Sequence, residues 1–231
     1  MNKAILSTKH PQFAAKLREY GYEIIPSEKI PCHMPYERNH ADLQCLILDD
    51  TAFVLSCCQR LINTLSHDYH VIPCGDRFSG EYPDNTCLSA VQCGGKLIGR
   101  LASLDEKVKE HCRRHGIELI NVNQGYAKCS CVPIADHAII TADNGIIQAL
   151  QNTQIDVLPI GKGSVRLKGA EYGFLGGASG YDRDKHTLYF CGDIEQHPDV
   201  RRIKDYCQAY GITIISLTDD QLTDVGGILF C

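Results

Sequence analysis

The chain has no tryptophan, two methionines and six phenylalanines in 231 residues. Its core must therefore be built from aliphatic, tyrosine and cysteine side chains. No apolar run approaches the roughly 20 residues that a membrane-spanning helix needs. Met1-Asn2-Lys3 leads only into Ala4-Ile5-Leu6, so no signal peptide is expected and a cytoplasmic location follows. Low-complexity tracts and linkers are missing too, which predicts one domain over residues 1–231. Positive charge is not in excess: 23 Lys and Arg face 28 Asp and Glu, for a net charge of -5. That balance argues against nucleic acid or an anionic membrane surface as a partner.

Thirteen cysteines are present, and without an export signal they are expected as reduced thiols. Cys45, Cys191 and Cys207 fall in apolar patterns, where a free thiol packs as a small hydrophobe. Cys57-Cys58 and Cys129-Ser130-Cys131 lack C-x-x-C spacing and a matching Cys/His pair, so neither structural zinc nor another metal is expected. Nothing in the sequence calls for a cofactor.

The chain does contain one short pattern five times. Tyr22-Glu23-Ile24-Ile25-Pro26, Tyr69-His70-Val71-Ile72-Pro73, Ile117-Glu118-Leu119-Ile120-Asn121, Ile155-Asp156-Val157-Leu158-Pro159 and Ile212-Thr213-Ile214-Ile215-Ser216 each end a helix-like stretch. Gly21, Gly116 and Gly211 precede three of them, as expected just past a helix C-terminus. Before each helix lies a short strand pattern: Asn2–Leu6, Asp50–Val54, Gly95–Gly99, Asp136–Ile140 and Lys185–Tyr189. A further strand precedes each pair, at Leu43–Leu48, Thr86–Val91, Cys129–Ile134, Phe174–Gly180 and Val225–Cys231.

Helix starts are expected at Pro11, at Pro198 and at a Ser103/Glu106 capping box. Apolar faces are predicted at Phe13, Leu17 and Tyr20, at Val108, Cys112 and His115, and at Val200, Ile203, Tyr206 and Cys207.

The unit is thus strand, strand, helix, strand. In the split copy the first strand is C-terminal and the second N-terminal, so pairing of the chain ends would close a five-unit α/β ring. This pattern resembles the pentein superfamily, the α/β-propeller fold of guanidino-group-modifying enzymes and of a non-catalytic ribosome anti-association factor. His40-Ala41-Asp42-Leu43-Gln44, Gly173-Phe174-Leu175-Gly176-Gly177 and Gly226-Gly227-Ile228-Leu229 resemble an uncharacterised bacterial branch of it. The resemblance implies five first strands converging on an axial channel.

The hydrolytic penteins take a Cys from the last unit, a His from the fourth and acidic residues from earlier ones. Here Cys231 lies one place beyond the Gly-Gly-x-x-Cys spacing. The fourth unit offers Phe174-Leu175-Gly176-Gly177 in place of a His, and its His186 falls on a second strand, away from the axis. The third offers Gly125-Tyr126-Ala127-Lys128 in place of acids. An alternative set uses Cys129 as nucleophile with Lys128 lowering its pKa, His40 as acid/base and Asp42 as a carboxylate. Strand alternation would turn Cys129 away from Asp42 unless a bulge intervenes.

The candidate catalytic residues are therefore Cys129, His40 and Cys231, and the candidate substrate contacts are Asp42, Gln44, Asn85 and Lys128. Local hydrogen bonds at His40 and Asp42, a solvated Lys128 and a turn at Asn85 are the plainer readings.

Gly161-Lys162-Gly163-Ser164 resembles a phosphate loop only loosely and reads as a polar turn. Gly176–Gly180 reads as chain passing close to the axis. His10, His67, His111, His115 and His197 read as surface residues, and Asp219, Asp220 and Asp224 as a solvated loop.

Two functions follow. One is binding or modification of a small guanidino or amino-acid-like molecule in the channel, by a hydrolase or transferase acting on C–N bonds if it is an enzyme. The other is a non-catalytic scaffold with a protein partner and a large apolar outer patch.

Overall fold

The computed structural model describes residues 2–76 and 78–231. In chain order it comprises β1 (Lys3–Leu6), α1 (Pro11–Glu19), β2 (Glu23–Pro26), β3 (Cys45–Leu48), β4 (Thr51–Leu55), α2 (Gln59–Leu65) and β5 (His70–Cys74). It continues with β6 (Ala90–Cys93), β7 (Lys96–Gly99), α3 (Glu106–His115), β8 (Glu118–Asn121), α4 (Ala127–Ser130), β9 (Cys131–Ala135), β10 (Ala138–Thr141), α5 (Asn144–Leu150) and β11 (Asp156–Pro159). The last elements are β12 (Ser179–Asp182), β13 (Thr187–Phe190), α6 (Val200–Ala209), β14 (Thr213–Ser216) and β15 (Leu229–Phe230).

These strands form five three-stranded sheets. In each, the first strand runs antiparallel to the second and the second parallel to the third. The parallel step needs a crossover, which the helix supplies. The split blade is β15-β1-β2, with Ala4 opposite Phe230 and Ile5 opposite Leu229. Backbone hydrogen bonds of 2.9 Å between Lys3 and Cys231, in both directions, extend that pairing.

Each of the five crossover helices, α1, α2, α3, α5 and α6, presents one buried i, i+4 pair to its sheet: Phe13/Leu17, Leu61/Leu65, Val108/Cys112, Ile146/Leu150 and Ile203/Cys207. Each fully buried aliphatic side chain of this size contributes about 1.5–3 kcal/mol. The second strands carry the deepest residues, such as Phe53, Leu97, Ile139, Leu188 and Ile5, all fully buried. The third strands lie outermost, and three of them contain Pro26, Pro73 or Pro159, which suits an edge where no ladder hydrogen bond is lost. The first strands turn inward, with β15 beside β12, β12 beside β9 and β9 beside β6.

Several local expectations are corrected. The first strands begin later than the apolar pattern suggests, because short helical turns precede them at Ala41–Leu43, Asp84–Thr86 and Ala127–Ser130. Asp105, not Ser103, caps α3 by accepting the Lys107 N–H; Ser103 instead donates to the Arg100 carbonyl. Helix α6 begins at Val200, beyond Pro198. Tyr20 is exposed, and His111 rather than His115 is buried on α3, edge-on to Phe53.

Candidate functional site

The entries to the first strands meet at one end of the ring axis. The helical turn Ala127–Ser130 rotates Cys129 relative to a strand, so its thiol donates to Asp42 Oδ2 at 2.8 Å. The expectation that Cys129 faces away from Asp42 is thereby overturned, the helical turn doing what a bulge would have done. Asp224 lies on the other side of this pair. Its Oδ2 accepts the Phe174 N–H at 2.9 Å and its Oδ1 the Gly226 N–H at 3.0 Å. His40 Nδ1 stands 3.9 Å from Asp224 Oδ1.

Asp42, Cys129 and Asp224 are only 1, 2 and 2 % exposed. Asp224 is therefore no solvated loop residue. An acidic side chain two residues before a glycine can accept that glycine's N–H, and this is the sequence signal that marks it.

The electrostatics disfavour a thiolate. Burial drives the Cys129 pKa well above its ordinary value, the Asp42 and Asp224 carboxylates push it further, and Lys128 opposes them only weakly. Lys128 thus does not activate this thiol, contrary to the sequence expectation. Burial also raises Asp224, helped by Asp42, against the opposing influence of His40 and the two backbone N–H donors.

Glycines close this end of the axis. A Cβ on Gly176 would lie 2.4 Å from the Cys131 carbonyl oxygen, and one on Gly177 only 2.1 Å from Asp224 Oδ1. The close approach expected of Gly176–Gly180 is thus present. Asp42 Oδ1 has no hydrogen-bond partner.

The other candidate residues separate. Gln44 pins the Glu28 backbone, accepting its N–H at 2.8 Å and donating to its carbonyl at 2.6 Å. Asn85 donates to Glu37 at 2.9 Å and to the Tyr126 hydroxyl at 3.0 Å, and Tyr126 donates to Glu37 at 3.1 Å. Glu37, missed by the sequence reading, comes from the 27–40 connection, which covers Asn85 at this end. Cys231 sits beyond β15, its pKa pushed up to about 11 by burial; it is not brought to Asp42, but shares with Lys128 the lining of a pocket at the axis. His186 is exposed on the turn before β13.

At its opposite mouth the axis opens into a pocket of about 560 Å³. All five first strands line it, through Cys45–Ile47, Ala90–Gln92, Pro133, Tyr181–Asp182 and Leu229–Phe230. Of its charged lining residues Lys3 is paired with Asp68 and Asp182 accepts from the Tyr22 hydroxyl, which leaves Lys128 and Arg183 as positive charge and Asp49 and Asp184 as negative charge. None of these four forms an ion pair among the described residues.

Among the described residues no three His, Cys, Asp or Glu side chains form a metal-holding group, and no helix is long and apolar enough to cross a membrane. Among the described residues the exposed large hydrophobics are Tyr20, Met34 and Tyr82, on three separate segments.

All thirteen cysteines are free, and Cys32 and Cys57 are exposed. Iodoacetamide at pH 8 is expected to label those two first in the native protein and to leave Cys129 unmodified until denaturant is added. Mass spectrometry of the peptides reads this. Rapid Cys129 labelling below its unperturbed pKa of about 8.5 would restore the nucleophile reading.

Among solved structures, dimethylarginine dimethylaminohydrolase in an adduct with 4-chloro-2-hydroxymethylpyridine matches with a TM-score of 0.61 and 11% identity, over 94% of this chain and 92% of that one. A citrulline complex of a mutant of the Pseudomonas aeruginosa enzyme matches with a TM-score of 0.59 and 11% identity, over the same 94% and 92%. SxtG, an amidinotransferase of the Microseira wollei saxitoxin pathway, matches with a TM-score of 0.55 and 9% identity, over 93% and 78%. The fold is therefore the pentein α/β-propeller. No curated protein matches the chain in sequence. A family model does match residues 5–229, and the chain belongs to that family, described as a family of unknown function (DUF6873).

Proposed function

From membership in this family and the pentein fold, we propose that the chain binds a small zwitterionic guanidino or amino-acid-like molecule at the open mouth of its axis, without thiol hydrolysis. One observation carries the reading: a pocket of about 560 Å³, lined by every first strand, sets Lys128 and Arg183 against Asp49 and Asp184. That size is ordinary for a small-molecule site. Two cations suit a carboxylate, and two carboxylates suit an ammonium or guanidinium group. The buried Asp42–Cys129–Asp224 cluster is then an internal tie rather than a reaction centre, since its thiol stays protonated and glycine backbone occupies the space a substrate would need.

Arginine, agmatine and citrulline are the first compounds to test by thermal shift and calorimetry. At a hundredfold excess over Kd a true ligand contributes about 2.7 kcal/mol, and in a chain of this size that moves Tm by roughly 5–10 °C. Lys128→Ala should weaken binding about tenfold while leaving the unliganded Tm almost unchanged. Absence of any shift, or an equal shift in Lys128→Ala, defeats the reading. A shift retained in Lys128→Ala but lost in Asp42→Asn would instead locate binding at the closed end.

A further inference from the structure

A second cavity, of about 70 Å³, lies between the blade of β9–β11 and that of β12–β14 and shares no lining residue with the axial pocket. We propose that it binds a small oxyanion, as inorganic phosphate or as a carboxylate group, through His197, Ser130 and Lys162. Three of its walls are the loop Gly161–Ser164, the segment Tyr172–Leu175 and the side chain of His197.

Two buried side chains beside this cavity lack partners. His197 is 2 % exposed and Ser130 5 %. His197 Nδ1 accepts the Asp199 N–H at 3.0 Å, so the neutral ring carries its proton on Nε2, and Nε2 has no acceptor. The Ser130 hydroxyl also has none, while the Ser130 carbonyl accepts from Thr141. A buried polar group left unpaired costs about 1–3 kcal/mol, and most such groups in folded proteins are satisfied. Two at one cavity present two donors to any acceptor that enters it. This corrects the reading of His197 as a surface histidine.

The neighbouring loop supplies charge. Asp199 accepts the Gly161 N–H at 2.7 Å and so holds the loop at the cavity rim. Lys162 follows, exposed and without an ion pair among the described residues. Asp143 also borders the cavity, but both its oxygens are engaged, Oδ1 by the Ile146 N–H and Oδ2 by Gln124, each at 3.0 Å. Tyr172, Phe174 and Leu175 provide an apolar wall. The volume corresponds to about two waters, so the recognised group is a few heavy atoms across.

Titration with phosphate, with sulfate and with acetate, each at fixed ionic strength against chloride, tests this by calorimetry and thermal shift. Phosphate or acetate should bind the wild type saturably. Affinity should fall at least fivefold in Ser130→Ala and in Lys162→Ala, and should be unchanged in Lys128→Ala. Saturation by phosphate alone or by acetate alone identifies which oxyanion the cavity takes. Equal stabilisation of all variants would be the general exclusion effect of such salts and overturns the proposal, as does absence of saturable binding. Lys162→Ala is a surface change, so the test stands even if Ser130→Ala folds poorly. Retention of phosphate binding in Lys128→Ala separates this site from the axial one.

Discussion

Gly226→Ala is expected to destabilise the ring by about 2–5 kcal/mol, the sum of a left-handed backbone penalty and overpacking. Gly226 has φ +80, and a Cβ there would lie 2.3 Å from His40 Cα and 2.5 Å from His40 Cγ. His40 cannot simply step back, because two residues on the Asp42 N–H donates to the Gly226 carbonyl at 3.1 Å. Relief must move the entry of β3 and with it the Asp42–Cys129 contact. Gly211→Ala is the control: its φ is +68, and no atom lies within 4 Å of the added Cβ. It should cost only about 1–2 kcal/mol. Urea unfolding of both variants measures the difference, and equal losses would mean that the closed end yields easily.

Asp224→Asn should flatten the dependence of stability on pH. Because burial raises the Asp224 pKa above its ordinary value of 3.8, the folded state holds a proton that the unfolded chain has released. The associated stability is full below the unfolded pKa and disappears as pH rises through the folded one. Asparagine does not titrate, but it turns an amide NH₂ toward the Phe174 or Gly226 N–H, costing about 1–3 kcal/mol at acid pH. The wild-type and variant curves should therefore converge as pH increases. Unfolding midpoints from pH 4 to pH 8 read this directly. Parallel curves would show that Asp224 ionises freely inside the fold.

The blades were legible because their second and third strands are short apolar runs and their helices carry i, i+4 apolar pairs, as Thr51–Leu55 and Phe13/Leu17 illustrate. The entries to the first strands were not. At Ala41–Leu43, Asp84–Thr86 and Ala127–Ser130 a helical turn precedes the strand by no more than three residues, and a single apolar pattern covers both periods. Reading Cys129 on strand alternation therefore reversed its direction. Asp42, His40 and Cys129 stood out as polar residues at strand entries, whereas Glu37 escaped notice because the 27–40 connection has no periodicity. His197 looked peripheral because it precedes α6, and only its neighbours bury it.

The pairing of Ala4 with Phe230 also has a kinetic consequence. Those two positions are separated by nearly the whole chain, so during synthesis the first β-strand waits without its inner neighbour until the far end emerges. Completion of that blade is necessarily among the last folding events, as loop-closure entropy also dictates. Until then the apolar edge of Ala4–Leu6 is open to other chains, which makes slow elongation before Phe230 emerges a period of aggregation risk.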